Sequence, residues 1–141
     1  MNTLKSMLAA GAIVFALPAF AQDLVISEAY VLPLAGVDNA AALYMVIKNN
    51  GKALDTLVGA TCEAAGATDL LATISDNKGA PRMLPQPEGW VVASAGGLNL
   101  APGGYQVALL DLKSPLQVGD KVSITLKFAA GGEIPVEAVV R

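Results

Sequence analysis

KVSITLKF, residues 121–128, places Val122, Ile124, Leu126 and Phe128 on one side of the chain and Lys121, Ser123, Thr125 and Lys127 on the other. A strict period of two is the signature of a β-strand with one buried and one wet face. The same grammar recurs outward in both directions. Candidate strands run over 24–34, 41–48, 54–61, 68–75, 80–84, 89–93, 98–100, 105–111 and 134–140. Between them stand Asn49-Asn50-Gly51, Asp76-Asn77-Lys78-Gly79, Ala95-Gly96-Gly97, Pro102-Gly103-Gly104 and Gly131-Gly132. Gly and Asn tolerate the positive φ of tight turns, so these clusters read as hairpin connections. No stretch keeps a helical period. Many short strands with regular turn signals predict a single antiparallel β-sandwich or barrel.

The first 21 residues stand apart from that pattern. MNTLKSMLAAGAIVFALPAFA carries one charge, Lys5, then an apolar run from about Met7 to Leu17, and ends in Ala19-Phe20-Ala21. This is the layout of a secretory signal peptide with a cut after Ala21, which leaves 22–141 as one domain. The run is short of the roughly 20 residues that a spanning helix needs. The expected location is therefore periplasmic or secreted, with no membrane insertion of the mature domain.

Composition narrows the chemistry. The chain holds 12 acidic and 9 basic side chains, a net charge of −3, and neither sign is clustered, so no basic face exists for nucleic acid. Histidine is absent altogether. That removes Ser-His-Asp and Cys-His catalysis, His-ligated zinc and the two-His blue-copper site. No nucleotide-binding or nucleophile-elbow motif occurs, and the acids are scattered singly, as turn residues and solvated faces are. The chain is not expected to be an enzyme. Its single cysteine, Cys62, cannot form an internal disulfide; the alternatives are a buried thiol, an intermolecular disulfide or a soft-metal ligand.

Several phrases then fall into one order: AALYMVIKNNG (41–51), LDTLVGAT (54–61), RMLPQPEG (82–89) and LNLAPGGYQVALLDLKSPLQVGDKVSITLKF (98–128). Together they resemble the periplasmic copper chaperones of the PCu(A)C family over most of the chain beyond residue 21. The resemblance implies a cupredoxin-like, Greek-key β-sandwich that holds one Cu(I) and hands it on during assembly of respiratory copper sites. It also implies where ligands belong. The family places a His on the strand before a hairpin, a Met after it, and a His-x-Met pair on the strand following Pro-Gly-Gly-Tyr. Here Leu71, or its neighbour Ala72, stands at the first position, Met83 at the second, and Gln106 and Ala108 at the His-x-Met pair.

Met83 is thus the one surviving candidate ligand, and a single thioether is a poor holder of Cu(I). Met45 matches a core-strand methionine of the family, and Cys62 lies well upstream of the hairpin. Two functional readings follow. In the first, the chain is a metal-free family member, with no cofactor, serving as a binding or assembly module for a periplasmic protein partner. In the alternative, it is a working Cu(I) chaperone using Met83 with non-standard ligands. Replacing His and Met by Leu and Ala also predicts a small exposed apolar patch of Leu71, Met83, Ala108 and, unless it is core, Trp90, the kind of surface that contacts proteins. Oligomeric state is not legible in the sequence.

Overall fold

The structure, a computed structural model, describes residues 23–34 and 36–141; the expected signal peptide lies outside the described residues. Ten strands follow in chain order: β1 (Leu24–Pro33), β2 (Ala41–Asn49), β3 (Asp55–Cys62), β4 (Ala65–Ser75), β5 (Pro81–Pro85), β6 (Trp90–Val92), β7 (Gly97–Leu100), β8 (Tyr105–Leu112), β9 (Lys121–Phe128) and β10 (Gly132–Val140). Each matches an expected segment to within a few residues. No helix among the described residues is long and apolar enough to cross a membrane.

The strands join in the order β5-β4-β8-β2-β1-β10-β9-β3-β6, with β7 on the remaining edge of β2. Sequence neighbours are therefore separated by crossovers, and the sheet folds over a single interior as a β-sandwich. One pairing departs from the antiparallel expectation. Tyr30 and Val31 of β1 lie parallel to Val139 and Val140 of β10. Against β2 the register of β1 shifts between Ser27 and Tyr30, where Glu28 takes φ 57°. Such bulges bend a strand and increase its local twist.

The interior is the alternating face read from the sequence. Val122, Ile124, Leu126 and Phe128 of β9 meet Ile134, Val136 and Ala138 of β10, and Leu43, Met45 and Ile47 of β2 meet Val107 and Leu109 of β8. Each fully buried side chain of this size contributes roughly 1.5–3 kcal/mol. A buried carboxylate fastens one corner: Asp55 accepts the backbone N–H groups of Thr56, Ala130 and Gly131, each at 2.8 Å.

A second apolar cluster covers the opposite face of the sheet. Ala42, Tyr44 and Ala108 lie buried there beneath Leu34 and Ala40, with Tyr30, Leu32, Leu71 and Leu110 packed around them. Consequently β8 is not the half-wet strand its alternation predicts. Both its inward Val107 and its outward Ala108 are fully enclosed.

The turn into β6 depends on Gly89. It has φ +78°, and a Cβ there would run into the carbonyl oxygen of Leu57. Gly103, in the turn before β8, has φ +86° with open space around it. Gly103→Ala should therefore cost about 1–2 kcal/mol from backbone strain alone. Gly89→Ala should lose more, about 3 kcal/mol or above, because strain and clash add. Urea denaturation of the two variants measures the difference; equal losses would mean that the close approach to Leu57 is easily relieved.

Candidate metal centre

The outward face of β8 carries the positions at which the resemblance implies copper ligands. Leu71 of β4 lies directly opposite Gln106, and Asp69 opposite Ala108, so Leu71 shares the outer face with Gln106. Ala72 pairs with Tyr105 and turns inward, so of the two neighbours it is Leu71 that shares the face of Gln106. On the far edge of β4, Thr73 pairs with Met83 of β5. Thr73 is two residues beyond Leu71, hence on the same face. Register therefore brings Leu71, Met83 and Gln106 to one place, with Ala108 beside them along β8.

What meets there is a hydrogen-bonded relay rather than a ligand set. Gln106 is 2% exposed, and its Nε2 donates to Met83 Sδ at 2.7 Å. Tyr44 Oη donates to Gln106 Oε1 at 3.5 Å. Thioether sulfur has no hydrogen to give, so the amide must turn its donor to Met83 and its oxygen to Tyr44. Tyr44 rests against Tyr30, with ring centres 5.4 Å apart and planes tilted by 38°. The guanidinium of Arg141 sits 4.0 Å above the Tyr30 ring. Tyr44 was not among the residues singled out from sequence. Its signal was the alternation of AALYMVIKN, which sets Tyr44 beside Ala42 and opposite Leu43 and Met45.

The other sulfur atoms among the described residues do not join this face. Met45 and Cys62 belong to the main core inside the sandwich. Trp90 is a core residue as well, its ring 5.0 Å from that of Tyr105. The expected exposed patch is corrected accordingly. Trp90 is on the inner side, Ala108 is 0% exposed, and Leu71 is partly covered, which leaves Met83, at 38%, as the open member. Among the described residues no three His, Cys, Asp or Glu side chains group as a metal site would need. The donors present are one thioether, one amide and one phenol, and this set does not fit Cu(I), which prefers several soft ligands.

The family model for "LpqE-like: Putative lipoprotein LpqE-like" matches residues 24–140. The chain belongs to the LpqE-like family. Another relative of this LpqE-like chain is "Putative lipoprotein Lxx21020" of Leifsonia xyli subsp. xyli, 36% identical over 116 residues, which are 82% of this chain and 68% of the relative. Among solved structures, copper(I)-bound DR1885 from Deinococcus radiodurans superposes with a TM-score of 0.66 at 32% identity, covering 87% of this chain and 83% of that one. The apo PCuAC domain from PmoF1 gives 0.63 at 32% identity, over 84% and 93% of the two chains. The copper-bound PCuAC domain from PmoF2 gives 0.66 at 24% identity, over 84% and 92%, a likeness of fold alone. The LpqE-like domain described here is thus of the PCu(A)C type, as its sequence motifs imply.

Burial, and then the neighbouring Tyr30, raise the Tyr44 pKa above 10.0. The native state therefore keeps a proton that the unfolded chain gives up, so this contribution to stability is intact below pH 10 and falls away above it. Unfolding free energy should decline from about pH 10 upward in the parent chain, and Tyr44→Phe should remove part of that decline. Urea titrations at about pH 9 and about pH 11 check this; parallel curves for both proteins would count against a buried phenol at this site.

Proposed function

We propose that this chain is a periplasmic or secreted PCu(A)C-type module that does not hold Cu(I) at the position the family resemblance marks. It acts instead as a non-enzymatic binding or assembly module for a protein partner. The Gln106–Met83 hydrogen bond carries this reading. Among the described residues the only thioether on the outer face is engaged by an amide, and two other expected ligand positions hold Leu71 and Ala108, which have no donor atom. Amide oxygen is a hard ligand and does not replace imidazole toward a soft monovalent ion. The acidic balance and the lack of a basic face argue against nucleic acid as the partner. The signal-peptide pattern of residues 1–21 and the lipoprotein descriptions of the relatives support a location outside the cytoplasm.

A second reading rests on the exposure of Met83, at 38% on the short edge strand β5. Its thioether could give up Gln106 and combine with donors from elsewhere, making the chain a Cu(I) chaperone with an unconventional site. Competition with a chromophoric Cu(I) chelator separates the two readings. The parent chain should show no stoichiometric binding tighter than about micromolar, whereas Leu71→His combined with Gln106→His should gain at least about a hundredfold in affinity by placing two imidazoles beside Met83. Tight binding by the parent chain, lost on Met83→Leu, would favour the chaperone.

A further inference from the structure

Met83 combines two features that pull on the same atom. The residue is 38% exposed on edge strand β5, in contrast to the enclosed Met45. On the protein side, the Met83 sulfur already accepts the Nε2–H of Gln106 at 2.7 Å. A thioether sulfur has two lone pairs, and Gln106 occupies one of them. The two lone pairs are the sites at which oxidation creates the two different sulfoxide epimers. Gln106 is buried, and its carbonyl oxygen faces Tyr44 Oη at 3.5 Å.

We propose that Met83 is a stereoselective oxidation site, oxidised by hydroperoxides through its free lone pair, with Gln106 as the positioning residue that selects the epimer. In the reaction, the free lone pair of sulfur attacks one peroxide oxygen, the O–O bond breaks and an S–O bond forms. The second oxygen leaves as water, or as the alcohol from an organic hydroperoxide. Sulfur loses two electrons and the peroxide gains them. The product places a polar, chiral S–O group next to Leu71 on the outer face, where the parent side chain is apolar. Methionine sulfoxide is reducible, and each epimer has its own reductase, so a single-epimer product makes the change reversible by one enzyme. Met45 provides an internal contrast, since it is enclosed in the main core.

The test is limited oxidation of the chain by hydrogen peroxide in the presence of a copper chelator, followed by trypsin. Cleavage after Lys48 and Arg82 leaves Met45 and Met83 on separate peptides, and each sulfoxide is assayed with the two epimer-specific reductases. Met83 should oxidise at least about tenfold faster than Met45, and one reductase should clear most of its sulfoxide, an epimer excess of about fivefold or more. Gln106→Leu should bring the ratio close to equal while leaving Met83 reactive. Chain unfolded in urea, which has no Gln106 contact, supplies the equal-mixture reference if that variant does not fold. A near-equal mixture from the folded parent chain would overturn the proposal. So would an epimer excess that persists in a folded Gln106→Leu variant, or a Met45 that reacts as fast as Met83.

Discussion

Everything on the outer face follows from one strand that has to be covered twice. β2 is apolar at successive positions from Ala41 to Ile47, so neither of its faces can be left to water. Its edges are equally occupied, by β1 on one side and by β8 and β7 on the other. One face makes the main core with Leu43, Met45 and Ile47. The other needs a second, thinner cover, which Tyr30, Leu32, Leu34 and Leu71 provide over Ala42 and Ala108. Ala42 and Ala108 sit opposite each other across the β2–β8 ladder, and their small size lets that cover close.

Dryness on that face dictates the polar chemistry within it. An amide buried without partners costs about 1–3 kcal/mol for each unsatisfied group, so Gln106 is tolerable only if both ends of its side chain are answered. Tyr44 answers the oxygen and Met83 answers the nitrogen. The second of these contacts also ties strands that share no ladder. β5 pairs only with β4, and β4 lies between β5 and β8, so the Gln106–Met83 bond passes over β4 beside Leu71 and Thr73. The hairpin of β4 and β5 is thereby pinned to the body of the sandwich at one point. A neutral hydrogen bond contributes about 0.5–1.5 kcal/mol net, an order of magnitude below the binding energy of a tightly held metal ion. A metal at this place would therefore hold the hairpin far more firmly than the amide does.

The strands were legible because turn residues and period-two alternation are local signals. KVSITLKF was read as inward Val122, Ile124, Leu126 and Phe128, and β9 buries those four. Two things were not local. One is the parallel pairing of β1 with β10, together with the β1 bulge at Glu28, a residue with no turn signal in the sequence. The double burial of β8 arises from what lies on either side of it, and alternation of Gln106, Ala108 and Leu110 with Tyr105, Val107 and Leu109 does not reveal that. The family resemblance supplied the positions Leu71, Met83, Gln106 and Ala108. It could not supply Tyr44, or the direction in which Trp90 turns, since these depend on register across three strands. Trp90 faces inward because β6 pairs with β3, setting Trp90 level with the fully buried Leu57.

The four positions that the resemblance marks are filled in a physically consistent way. If only the donor atoms had been lost, the outer face would be left with holes and unpaired polar groups. Instead Leu71 supplies apolar cover, Ala108 makes room for the side chains that close over it, and Gln106 is satisfied at both ends. Each replacement suits a dry surface, and none suits a soft metal ion. The one residue that suits both is Met83, because a thioether is at once an apolar side chain, a weak hydrogen-bond acceptor and a soft donor. Its presence is therefore no evidence for copper by itself, and the chemistry this face offers is that of a thioether on a part-exposed edge strand, held by a buried amide.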